Sequence, residues 1–174
     1  TYASQNGDLK AAFGTDYKAA MNHFANFGLK ENRVTAPAVD LGTGFKAKIN
    51  LTNASLNLSL SGTNVISYTP SDAAAQIYSF ERQTNGSYKL TNTKTGQVLA
   101  VSGDAKTSGT NVLIEDSDNS NGQRWYIYEY STGVYMLRPV CATGLVLSVA
   151  SNSTASMANT QANTHTGAAG QKFK

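Results

Sequence analysis

The chain has 174 residues, of which 40% are hydrophobic and only 14% charged, and a formal net charge of +3. That apolar share supports one ordinary packed domain with a small appendage and excludes wholesale disorder. Its lysines are scattered, with Lys46 and Lys48 a close pair, so there is no basic stripe for nucleic acid, and no apolar run approaches a membrane span.

In chain order, residues 1–34 read as a helical segment of two short helices. Asp8-Leu9-Lys10-Ala11-Ala12-Phe13 forms the first, which Gly14 stops. Thr15 caps the second, Asp16 suits its dipole, and Tyr17, Ala20, Met21, Phe24 and Phe27 recur at helical spacing before Gly28. Helices this short need a partner surface, either the following domain or an upstream unit. With no signal peptide at Thr1 and an abrupt end at Lys174, the chain reads as an excerpt of a longer polypeptide whose other domains are its partners.

Residues 35–41, Thr35-Ala36-Pro37-Ala38-Val39-Asp40-Leu41, read as a linker. From Gly42 the helical period gives way to short alternating runs such as Phe45-Lys46-Ala47-Lys48-Ile49, Trp125-Tyr126-Ile127-Tyr128 and Leu145-Val146-Leu147-Ser148-Val149. Turn pairs Asn85-Gly86, Thr95-Gly96, Thr132-Gly133 and Thr143-Gly144 separate such runs, so residues 42–174 are expected to be all-β.

Self-similarity organises these strands. Gln76-Ile77-Tyr78 returns as Gln123-Arg124-Trp125 and as Gln171-Lys172-Phe173, and Thr63-Asn64-Val65 returns as Thr110-Asn111-Val112 and Ala158-Asn159-Thr160. A third landmark aligns Leu56-Asn57-Leu58 with Leu99-Ala100-Val101 and Leu147-Ser148-Val149, and in that register the first repeat lacks about four residues before its Asn-Val. Three units, about 42–86, 87–133 and 134–174, would each leave an apolar face open and so share one core. The buried amides of the motif glutamines suit backbone groups of a turn, and Tyr78, Trp125 and Phe173 suit a common core layer.

A Gln-x-aromatic motif late in each repeat, after an Asn-Val strand, resembles the ricin-type β-trefoil lectins over residues 42–174. The resemblance implies a β-trefoil of twelve strands with pseudo-threefold symmetry, although the chain stops one residue after Phe173. The segment Asp8–Tyr17, with Asn22-His23-Phe24 and Phe27-Gly28, is similar to a short helical repeat of bacterial surface and secreted proteins. An extracellular or cell-surface bacterial setting follows as an expectation.

By that resemblance, a sugar site takes an Asp on the Leu-x-Val strand, an aromatic ring three residues after the Asn-Val valine, and an Asn before the motif glutamine. A ring stacks on the C–H face of a pyranose while amides and carboxylates meet its hydroxyls. The chain carries Asn57, Ala100 and Ser148 at the first position, Tyr68, Glu115 and Asn163 at the second, and Ala75, Gly122 and Gly170 at the third. The candidate carbohydrate-binding residues are therefore Asn57, Tyr68 and Gln76 in repeat one, Glu115 in repeat two, and Asn163 and His165 in repeat three.

Other chemistries lack their residues. Asp116-x-Asp118-x-Ser120 begins like a calcium loop, but no glycine follows at the sixth place and Ile127 stands where the bidentate Glu belongs. Cys141 lies in an apolar setting without a basic neighbour, as an inert thiol does. No metal, cofactor or catalytic constellation is expected. Two functions remain open: a non-catalytic carbohydrate-binding module of a larger exported bacterial protein, or a structural or protein-interaction trefoil with degenerate sugar sites.

Overall fold

The computed structural model describes residues 38–174 except Thr143, together with Ala11, Ala12, Asp16, Ala19 and His23. The helical segment expected over 1–34 otherwise lies outside the described residues. Among the few of its residues that are described, Asp16 Oδ1 accepts the amide of Ala19 at 2.9 Å, a capping bond of the kind expected of Thr15.

The described residues form eleven strands in a single sheet system. In chain order these are β1 (Phe45–Ala47), β2 (Asn57–Ser61), β3 (Asn64–Tyr68), β4 (Tyr78–Arg82), β5 (Tyr88–Asn92) and β6 (Val98–Val101). They continue as β7 (Thr110–Glu115), β8 (Trp125–Ser131), β9 (Val134–Pro139), β10 (Leu145–Val149) and β11 (Thr160–Thr164). A one-turn helix precedes β4, precedes β8 and ends at Gln171, so the Gln motif occupies the same local structure in all three repeats.

Six chain segments close into a barrel. β1 pairs with β4, β4 with β5, β5 with β8 and β8 with β9, all antiparallel. Phe173 then bridges to Tyr135 of β9 on one side and to Leu51, beyond β1, on the other. The last three residues thus stand in for a twelfth strand, and Asn50 and Lys174 exchange both amide bonds at 3.1 and 2.9 Å. Closure removes the open edges that would otherwise pair with another chain.

Three hairpins, β2–β3, β6–β7 and β10–β11, cover the barrel and interlock through Asn64↔Leu113, Gln161↔Asn111 and Ile66↔Asn159. Where they meet, Asn64 Nδ2 donates to Asn159 Oδ1, Asn159 Nδ2 to Asn111 Oδ1, and Asn111 Nδ2 to Asn64 Oδ1, at 2.8, 2.9 and 2.9 Å. The repeated Asn is thus a closed ring of amides at the hairpin junction. Each side chain there gives one donor and takes one acceptor, so no partly buried amide is stranded.

The core lies inside the barrel and under the hairpins. Tyr78, Trp125 and Phe173 are 0%, 0% and 1% exposed, which confirms a shared core layer, and Leu58, Leu99 and Leu147 are each fully buried. The Trp125 indole donates to the Leu99 carbonyl at 2.9 Å, satisfying its polar atom inside that layer. What was expected as a linker is tied down where it is described: Val39 donates to the Ile127 carbonyl and Leu41 to the Tyr88 hydroxyl, both at 2.8 Å. Leu41, Phe45, Phe80, Ile127, Leu137 and Phe173 line an apolar cavity of about 160 Å³ at the barrel mouth.

Candidate functional site

Strand pairing corrects one of the sequence alignments. Leu60 faces Val65, Val101 faces Val112 and Val149 faces Thr160, so Leu58-Ser59-Leu60 is the true counterpart of Leu99-Ala100-Val101 and Leu147-Ser148-Val149. From Leu60 to Val65 is five positions, whereas Val101 to Val112 and Val149 to Thr160 are eleven each. The first hairpin therefore lacks six residues, not four, and turns tightly through Gly62 and Thr63. The position that the resemblance gives to Asp is held by Ser59, Ala100 and Ser148, and the matching position for Asn57 is Val98 in repeat two. Leu56-Asn57-Leu58 misled because both triplets alternate apolar and polar residues within one stretch.

The three glutamines are staples. Gln76 Nε2 donates to the Thr69 carbonyl while its Oε1 accepts the Ser71 amide, at 2.7 and 2.9 Å. Gln123 does the same with Asp116 and Asp118, and Gln171 with Thr164 and Thr166. All three are almost fully buried. Gln76, offered by the sequence as a sugar contact, has its amide committed to this loop and to Asn57.

A second regularity explains the missing Asn. In repeats two and three the longer hairpin carries Asp104 or Asn152 in the left-handed region, φ +53 and +55. Asp104 Oδ1 accepts the Gly122 amide at 2.6 Å, and Asn152 Oδ1 accepts the Gly170 amide. A Cβ on Gly122 would overlap Asp104 Oδ1, and one on Gly170 would lie 2.9 Å from Asn152 Oδ1. Those positions are glycine because the hairpin's own side chain fills the space. Repeat one has lost that part of the hairpin and carries Ala75.

The candidate residues fall at three separate corners. Asn57 is buried, faces Tyr68 across the β2–β3 ladder, and donates to Gln76 Oε1 at 3.1 Å. Tyr68 is 43% exposed, a ring open to solvent. Glu115, half-buried, accepts Gln123 Nε2 at 3.1 Å, and Asn163 Oδ1 accepts the Ser108 hydroxyl at 3.5 Å. His165 is fully enclosed, so no surface ligand meets its ring in this conformation.

Repeat one also holds a polar cleft of about 500 Å³, lined among others by Asn50, Thr52, Asn53, Ser55, Asn57 and Pro70. The segment joining β1 to β2 forms most of it, with Leu51 donating to the Leu56 carbonyl at 2.9 Å to close the loop. Sequence reasoning missed these residues, yet a signal exists. The corresponding connections of the other repeats carry Thr95-Gly96 and Thr143-Gly144, whereas the first carries Ala54-Ser55. The turn here is built without glycine and is edged with amides and hydroxyls.

The rest is chemically quiet. Asp118 Oδ1 accepts the Ser120 amide at 2.7 Å, which holds its carboxyl below the usual range and makes the acidic run a turn. Burial, then the Asp104 charge, pushes the half-buried Cys141 thiol up, away from the thiolate. Among the described residues no three His, Cys, Asp or Glu side chains group as metal ligands.

Against this geometry, comparison with known proteins gives a consistent result. The chain matches the family model of ricin-type beta-trefoil lectin-like domains over residues 41–115 and 74–162. No curated protein sequence matches it. The designed threefold symmetric protein ThreeFoil is similar in structure, with a TM-score of 0.70 and 24% identity, over 74% of this chain and 96% of that one. The Macrolepiota procera ricin B-like lectin, solved in complex with lactose, gives 0.68 and 19% over 78% and 97%. An exo-β-1,3-galactanase from Clostridium thermocellum gives 0.70 and 20% over 77% of this chain and 30% of that one.

Proposed function

The chain belongs to the family of ricin-type β-trefoil lectin-like domains, and from that premise we propose that residues 42–174 are a non-catalytic carbohydrate-binding module of a larger exported bacterial protein. Repeat one is its site. The observation that carries this reading is the polar cleft beside an exposed ring: amides and hydroxyls of Asn50, Thr52, Asn53 and Ser55 suit sugar hydroxyls, and Tyr68 suits a C–H face. A site without a carboxylate lacks charge-assisted bonds, so its affinity is weak and gains from multivalent glycans. The lactose complex of the Macrolepiota lectin supports a saccharide as ligand, and the partial coverage of the galactanase supports a module within a longer chain.

A glycan array followed by calorimetry on the full chain tests this, with Tyr68→Ala as control. Binding lost in the variant is the expected result; no binding to any glycan at about millimolar concentration, the weak end of useful affinity, would sink it.

A second reading, a structural or protein-interaction trefoil, draws on the filled corners at Gly122 and Gly170. It expects capture of the parent polypeptide's other domains by the isolated chain, with glycan binding absent.

A further inference from the structure

The residue before the ring-forming Asn motif is Gly62, Gly109 and Met157 in the three repeats, and each has a positive φ, +62, +90 and +67. Glycine adopts this left-handed shape freely, whereas a side chain with a Cβ is strained in it. Methionine adds nothing to the core there, because it is 57% exposed.

Pairing between repeats places each of these residues next to the ring position of another. Met157 donates to the Ser67 carbonyl at 2.7 Å, one residue before Tyr68, and Gly109 donates to the Ala162 carbonyl at 2.9 Å, one residue before Asn163. At the third corner Ile114, one residue before Glu115, donates to the Thr63 carbonyl at 2.8 Å. The three corners therefore carry Gly62 with Glu115, Gly109 with Asn163, and Met157 with Tyr68. Among the described residues, Tyr68 and Met157 are also the two large hydrophobic side chains that stand exposed. Both apolar departures from the repeat meet at one corner, and it is the corner beside the cleft, since Tyr68 faces Asn57 and lies two residues before Pro70.

We propose that Met157 and Tyr68 form an apolar platform that extends the cleft of repeat one and takes the C–H face of a second sugar ring, so that the site selects disaccharides over monosaccharides. This rests on the glycan-binding reading and adds its specificity. The cleft meets the hydroxyls of the first ring. The tyrosine ring and the polarisable, adaptable thioether meet the apolar side of the second. The strained backbone is kept because it carries a side chain useful only outside the protein.

The test is calorimetry on the full chain with three sugar pairs: lactose and galactose, cellobiose and glucose, and N,N′-diacetylchitobiose and N-acetylglucosamine. It compares the wild type with Met157→Gly, the residue the other repeats use. The disaccharide-to-monosaccharide affinity ratio is expected to fall about fivefold in the variant, as befits a few tens of Å² of lost apolar contact. Thermal stability should hold or rise, which separates the effect from misfolding. In the wild type with ¹³C-methyl methionine, the bound disaccharide should shift the Met157 methyl signal, assigned by its disappearance in the variant. An unchanged ratio, an unshifted methyl, or no binding in all three pairs would overturn the platform. The glycan array decides the broader reading separately.

Discussion

At the hairpin junction, Asn64, Asn111 and Asn159 do one job three times over. At the outer corners, Tyr68, Glu115 and Asn163 occupy equivalent strand positions and share no chemistry. The difference follows from what each set of side chains touches. In the ring and in the glutamine staples, every polar group is satisfied by a neighbour from the same chain, so changing one strands another. At the corners Tyr68 is open to solvent while Glu115 and Asn163 are partly buried and bond Gln123 and Ser108, each a partner of its own, so nothing requires the three to match. Symmetry in this molecule marks what holds the fold, and departure from symmetry marks where the fold makes no demand.

Four substitutions would break or sharpen that contrast. Trp125→Ala strikes the shared core layer and should cost about 4 kcal/mol, the usual range for deleting a buried large ring, seen as a lower urea midpoint. Asn111→Ala removes two of the three ring bonds and leaves an acceptor on Asn64 and a donor on Asn159 without partners; about 2 kcal/mol of lost stability is expected. Gly122→Ala should cost about 1 kcal/mol by displacing Asp104, and part of that should disappear in an Asp104→Ala background, the Val101 carbonyl 3.0 Å from the added Cβ keeping the rest; a double-mutant cycle measures this coupling. Tyr68→Ala should move stability by less than about 0.5 kcal/mol, as exposed side chains do, while glycan affinity falls about tenfold. If Tyr68→Ala destabilised the chain as Asn111→Ala does, the division between junction and corner would fail.

The fold was legible because the repeated residues are those with internal duties: Gln76, Gln123 and Gln171, and the Asn of the ring, keep their spacing since each must reach the same partner. The third landmark slipped by two residues because alternation sets the face of a strand but not its register, and only the pairing of Leu60 with Val65 decides between Leu56-Asn57-Leu58 and Leu58-Ser59-Leu60. The site was less legible. Tyr68 stood out as a ring at the expected position, but its neighbour Met157 arrives from a hairpin some ninety residues away, alongside the Ser67 hydroxyl bond to Ala155 that spans 88 positions. Gln76 and His165 look like polar ligands in sequence, yet burial gives the first to a loop and encloses the second.

The way the barrel closes also governs how fast it can form. Thr52 Oγ1 donates to the Lys172 carbonyl across 120 positions of chain, and Phe173 pairs on both sides only when the first and third repeats are already near one another. Ordering so long a loop precedes any reward from the contacts it makes, which places such domains among slow folders. A circular permutant that joins Lys174 to Val39 through a flexible glycine-serine linker, and opens the chain at the exposed Ser71–Asp72 stretch, would make this clasp local. Its refolding rate should rise in stopped-flow experiments while the finished barrel keeps the same contacts.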